Sequence, residues 1–362
     1  MSRFSDFLSL AMLLASSAAA NAASAVDAPS ASSAVEAKAP AEMRSRFYFT
    51  FENDLLARPP SDTNYTMGVR MSWVNSGSDE RNGDVDASPL RQPVEYARDH
   101  MWLLGGRRDT ANRPSRIVNF ADDAFTPACL HSTTVCSAQG HPIDQDRPYA
   151  NIIYYSFALS ATPGDLQDGY STELAVGLVG TAIGRDVQTW IHERCCRDKI
   201  PQEWHTQIGQ SATGVPTLLY KQLRRHQVWR TRDWSGIDVE ARYGFWAGWY
   251  TWPTVGLEAK TRWASVALDA SYVLHNEFLQ GAYAGRSDIR YRYGQLEHEV
   301  ALGHADINLV ALASDLIDIG GANPTPQRWG LSYSQGWKSR ELKVPGVERR
   351  HRWGGLTLWF NY

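Results

Sequence analysis

Three residues of this chain carry side chains suited to hydrolysis without a protein nucleophile: Asn53, Asp54 and His192. An amide oxygen beside a carboxylate is a hard-donor pair of the kind that binds calcium. A cation held there polarises a carbonyl as a Lewis acid. Histidine, with an ordinary pKa of about 6.5, is the natural general base at neutral pH, and base catalysis contributes about 10² to 10⁴ in rate. The combination points to ester hydrolysis, with His192 activating water against a carbonyl polarised at Asn53 and Asp54. No Gly-x-Ser-x-Gly elbow occurs in the sequence, so a serine nucleophile has no seat. His192-Glu193-Arg194-Cys195-Cys196 is half of a zinc-protease motif, but Cys196 stands where the second histidine belongs, which sets that chemistry aside. Plainer roles exist for the same residues. Asn-Asp after a strand forms turns by capping its own backbone, and a histidine on a surface helix is commonly just solvated.

The elements that must position these residues are legible around them. Phe47-Tyr48-Phe49-Thr50-Phe51-Glu52-Asn53-Asp54 alternates as a strand with one apolar face and ends in three oxygen-bearing residues. Glu52 alternates to the side of Asp54, either as a carboxylate behind the site or as a residue of an enclosed interior. Gly184 to Arg197 reads as a short helix in which Val187, Trp190, Ile191 and Arg194 share one face and Gln188 and His192 form an i, i+4 pair.

The N-terminus fixes the compartment. Residues 1–22 read as a signal peptide, with Arg3 as a thin positive region, Leu8 to Ala20 as the apolar region and Ala20-Asn21-Ala22 as a small-x-small cleavage site. Residues 23–43, rich in Ala, Ser and Pro, form a flexible leader. No later stretch approaches the roughly 18 apolar residues of a membrane helix. An exported chain with 14 Trp and 16 Tyr in 362 residues, a formal charge of −3 and a mean hydropathy of −0.39 is aromatic without being apolar throughout. Membrane β-barrels have this composition, because only alternate strand residues face lipid and Trp and Tyr gather at both interfaces. A soluble β-rich domain shares it. Leu356, Leu358, Phe360 and Tyr362 alternate to a terminal aromatic, as in the closing strand of an outer-membrane barrel. The near-neutral charge gives no sign of nucleic-acid binding.

The expected fold is therefore all-β: one transmembrane antiparallel barrel over residues 44–362, of about 12 strands, with a short helix in an extracellular loop. Candidate strands lie near 46–54, 64–74, 117–126, 149–161, 170–179, 217–229, 237–250, 256–263, 265–275, 278–293, 297–311, 328–337 and 353–362. That is one more than an even count allows. Bacterial barrels keep both termini in the periplasm, so the first strand runs outward and Asn53 and Asp54 lie at the outer rim. The third strand brings Phe125-Thr126-Pro127 to this rim, the following loop brings Asp146-Arg147-Pro148-Tyr149, and the fifth brings the helix carrying His192.

Six motifs then fall in order: Glu52-Asn53-Asp54; Asp62-Thr63-Asn64-Tyr65-Thr66-Met67-Gly68 leading into Ser72-Trp73; Thr126-Pro127; Asp146-Arg147-Pro148-Tyr149-Ala150; Gln188-x-x-x-His192; and Trp204-x-x-Gln207. In this order they resemble the outer-membrane lipid A 3′-O-deacylase family. The resemblance implies a twelve-stranded barrel that removes the 3′-linked acyloxyacyl chain of lipid A in the outer leaflet with the help of calcium. It implies Asn53 and Asp54 as the calcium pair and His192 as the catalytic histidine. Glu52, Thr66, Asp146, Arg147 and Gln188 form a second tier. Asp146-Arg147 also reads as an ion pair inside the barrel mouth, and Thr66 as an ordinary ladder residue. Arg194, Arg197 and Lys199 could meet lipid A phosphates, for which arginine offers paired donors. They equally suit a helix C-terminus, where cations are favoured.

Departures from the family pattern are Thr63 for Arg, Met67 for Asn, and Asn151 where Gly follows Arg-Pro-Tyr-Ala. The four cysteines suit an oxidising compartment. Cys129 with Cys136 is one pairing. A link from either to Cys195 or Cys196 is another, and it would pin the helix over the rim. Two further functions fit the barrel: a phospholipase-type hydrolase, and a passive channel or adhesion scaffold.

Overall fold

In the computed structural model the described residues are 45–57, 64–75, 87–100, 114–127, 135–136, 141–142, 149–161, 169–195, 204, 207–209, 213–231, 237–261, 264–271, 275–276, 300–308, 329–338 and 351–361. The signal peptide and leader expected from the sequence lie outside them. Twelve main strands follow in chain order: β1 Ser45–Asn53, β2 Asn64–Asn75, β3 Ser115–Thr126, β4 Ala150–Ala161, β5 Gly169–Val179 and β6 Val215–Arg230. The rest are β7 Asp238–Gly248, β8 Tyr250–Lys260, β9 Ala264–Ser271, β10 Val300–Asn308, β11 Trp329–Lys338 and β12 His351–Asn361. Every consecutive pair is antiparallel, and β12 pairs with β1 through Arg46↔Asn361 to Asn53↔Gly354. Because β8 also pairs with β9, the pairings followed from β1 return to β1.

Alternation in the sequence builds the two faces. Across the ladders Phe51, Val69, Asp122, Ile153 and Leu178 share one side, and that side is the exterior. Its exposed apolar residues include Phe120, Val176, Leu218, Val255, Leu257, Val266 and Leu268. Trp229 and Trp329, both 52% exposed, sit on it near one end, where a membrane interface favours them. The other side is polar. Arg70 donates to Tyr154 Oη at 3.0 Å, Ser156 bonds Asn119 and Glu173, Lys221 pairs with Glu173 at 2.9 Å, and Arg242 bridges Glu258 and Asp269. Near the mouth formed by the ends of the odd-numbered strands, the interior is packed by Phe125, Ile152, Tyr154, Leu219 and Trp249, with Trp246 against them.

Two helices lie on the exterior. Helix α1, Arg91–His100, belongs to the β2–β3 connection. Its Val94 is buried among Val118, Phe157, Leu159 and Tyr170. Helix α2, Ala182–Cys195, follows β5 and lies at the opposite rim. The helix expected over 184–197 is thus present, shifted two residues toward the N-terminus. Strand β8 begins six residues before the expected 256, and the surplus candidate at 278–293 lies outside the described residues.

Candidate active site

The site is built on one transverse row of the wall. Asn53 of β1 pairs with Met67 of β2, Met67 with Ala124 of β3, and Ala124 with Asn151 of β4. All four side chains share the exterior face, where apolar residues lower on the wall are exposed, yet exposure here is 8%, 0%, 0% and 0% in that order. Helix α2 lies along this row and packs on β3 and β4. At Gly184 the helix lies close on the wall, for a Cβ there would stand 2.6 Å from Asn151 Cβ. From there the most buried positions of the helix are Gln188 and His192, 2% and 4% exposed, each one turn further. The eight residues from Gly184 to His192 rise about 12 Å. Gln188 and His192 are thus the buried positions of the helix beyond its contact with Asn151.

The buried face of α2 carries Gly184, Gln188 and His192, while Ile183, Asp186, Glu193 and Arg194 are exposed and Val187, Trp190 and Ile191 are half-buried. Arg194 stacks over Trp190 at 4.3 Å. The helix thus turns two polar side chains to the wall. Gln188 Nε2 is buried and has no hydrogen-bond partner among the described residues.

Asp54 opens a 3-10 turn, Asp54–Leu56, at the end of β1, and its side chain is fully buried. The turn is held by Tyr333 Oη donating to Leu56 O at 2.9 Å and by Ala57 N donating to Asp54 O at 3.1 Å. Gly354 of β12 admits the turn, since a Cβ there would lie 2.5 Å from Leu56 O. A buried carboxylate next to a buried amide at a strand end fits a hard cation by donor chemistry. Among the described residues no group of three or more His, Cys, Asp or Glu gathers to hold a metal, so further ligands would come from backbone oxygens, amides or water.

The second-tier residues separate. Glu52 shares the interior face with Ser334, both lying against Gly355, and so stands across the wall from Asn53. Thr66 sits in β2 where the register shifts between Tyr65 and Met67. Gln188 joins His192. Arg194 is exposed on α2. Asp146, Arg147, Arg197, Lys199, Cys129 and Cys196 lie outside the described residues.

A hydrogen-bonded cluster anchors the start of α2, and residue types alone did not reveal it. Asn151 Nδ2 donates to Thr181 Oγ1 at 2.9 Å, Gln207 Nε2 donates to Asn151 Oδ1 and to Thr181 O at 3.2 Å, and Gly180 N donates to Asn151 O at 3.0 Å. Beside it Tyr149 and Trp204 pack with ring centroids 4.4 Å apart. The only sequence signals were the Trp204-x-x-Gln207 spacing and the unexpected Asn151.

The chain matches the family model described as "Outer membrane protein LpxR" over residues 7–260. It is similar in fold to the solved structure of LpxR from Salmonella typhimurium, at 11% identity and a TM-score of 0.56, with 88% of this chain and 100% of that chain covered. It is also similar to the KdgM porin, at 7% identity and a TM-score of 0.35, covering 88% and 99%. The translocator domain of the autotransporter NalP from Neisseria meningitidis aligns at 8% identity and a TM-score of 0.36, covering 100% and 97%. No curated protein sequence matches the chain.

Proposed function

The chain belongs to the LpxR family of outer membrane proteins, the lipid A 3′-O-deacylases, and from that membership we propose that it hydrolyses the 3′-linked acyloxyacyl ester of lipid A in the outer leaflet, with calcium as cofactor and His192 as general base. It is an outer-membrane β-barrel. The observation that carries the proposal is the exterior row at the rim: Asn53 and the buried face of α2 with His192 lie on the lipid side of the wall. A substrate anchored in the outer leaflet by its acyl chains reaches that side without leaving the membrane.

The residues divide the work. His192 takes a proton from the attacking water at an imidazole nitrogen, and the covering helix excludes bulk water, which strengthens each polar interaction beneath it. Gln188, one turn before His192, offers an amide donor toward the same space. Asn53 Oδ1 and the Asp54 carboxylate would hold the calcium, which supplies Lewis-acid polarisation of an acyl carbonyl. Arg194, with Arg197 and Lys199 further along, supplies positive charge for the phosphates of lipopolysaccharide. The packed cluster around Trp249 at the interior mouth weighs against a conducting channel.

The test is a mass spectrum of lipid A from cells expressing the protein. Loss of the 3′ acyl group should occur with the parent chain and disappear with EDTA or with His192→Ala. Retained deacylation in either case overturns the mechanism. Cleavage of glycerophospholipid micelles in preference to lipid A by the purified protein would favour the phospholipase alternative.

A further inference from the structure

We propose that Asn151 is a positioning residue whose side chain docks α2 on the barrel wall and so sets where His192 meets the rim; this rests on the reading of His192 as the base. Asn151 is fully buried on the exterior face of β4. Both ends of its amide are engaged. Nδ2 donates to Thr181 Oγ1 at 2.9 Å, just before the helix. Oδ1 accepts from Gln207 Nε2, in the segment that returns from it. The Asp122 carboxylate of the neighbouring strand β3 lies beside the same side chain. One residue therefore ties β4 and both approaches to α2 into a single connected polar cluster.

Gly184 is the complementary half of the contact. A glycine inside a helix costs about 1 kcal/mol relative to alanine. The wall supplies the reason for it here, because a Cβ would lie 2.6 Å from Asn151 Cβ and Nδ2. The side chain on the wall and the missing side chain on the helix fit each other. Gly184 and His192 are two turns apart, a lever of about 12 Å. A tilt of about 5° at one end moves the other by about 1 Å over that lever, and a misplacement of that size can lower a rate about 100-fold.

The experiment uses the full chain purified and reconstituted with lipid A, with three readouts: kcat and KM for release of the 3′ acyl group, hydrogen exchange of the α2 amides, and gel mobility with and without heating as a check that the barrel folds. Asn151→Asp keeps the acceptor for Gln207 but removes the donor and sets two carboxylates side by side. It should lower kcat about 100-fold with KM near the parent value, and speed α2 exchange. Adding Asp122→Asn exchanges the seats of amide and carboxylate and should restore both. Gly184→Ala, which leaves the wall untouched, should reproduce the single-variant defect from the helix side and decides the matter if Asn151→Asp does not fold. Parent-like α2 exchange in a folded Asn151→Asp or Gly184→Ala protein, or a double variant no better than Asn151→Asp, overturns the proposal. Full activity in His192→Ala would instead overturn the functional reading and leave the exchange result standing.

Discussion

At the scale of residues, three consecutive polar positions at the end of β1 have different surroundings. Asn53 lies on the exterior face, Asp54 turns into a buried 3-10 corner, and Glu52 faces the interior beside Ser334. Asp54→Asn should therefore abolish release of the 3′ acyl group, while Glu52→Gln should leave it near the parent rate. Assaying both on the same lipid A preparation checks the contrast, and a large loss in Glu52→Gln would show that the interior face takes part. Oxygen donors and an imidazole suit the chemistry by type, but it was the order of the six motifs that singled out Asn53, Asp54 and His192 from the other residues of their kinds. Asn151 carried no such mark. Its role depends on which neighbours the ladder and the helix bring within hydrogen-bonding distance.

At the scale of elements, most strands were readable because a wall with one apolar and one polar face imposes a strict period of two. Strand β8 was read six residues late because Trp252-Pro253 interrupts that period, and proline in a strand argues against one. Helix α1 escaped the sequence reading altogether. It is ten residues long with mostly charged and polar side chains, and Val94 is its single fully buried residue, too little for a helical period. Its position is fixed by the wall it covers, where Phe157 and Leu159 are also buried. Val94→Asp places an unpaired charge in that apolar contact, a change costing roughly 3 kcal/mol or more. Hydrogen exchange should then show α1 released from β4 and β5 with the barrel retained; unchanged protection of α1 would mean that Val94 does not hold it. Helix α2 was located, but which of its faces meets the wall was not foreseen, because its buried positions are Gly184, Gln188 and His192 rather than an apolar stripe.

At the scale of the whole molecule, the parity of the strands decides everything above it: twelve strands, each paired with its chain neighbour, close only when β12 reaches β1. Thr50 Oγ1 and Thr357 Oγ1 hydrogen-bond across that seam at 3.0 Å, and Leu358 lies between Phe49 and Leu331. Leu358→Pro removes a ladder donor there, in a strand paired on both sides, where proline is not accommodated. It should leave the chain without the heat-sensitive gel mobility of a folded barrel; normal mobility would mean that closure does not depend on this strand. The seam runs directly beneath the candidate site, since Asn53 is flanked by Met67 on one side and by Gly354 on the other. The last strand of the sequence thus completes the floor beneath the first motif. A chain in transit, still unpaired at its two ends, has no floor under Asn53 and Asp54. If Asn53 and Asp54 hold the proposed calcium, activity begins only once the two ends of the sheet have met.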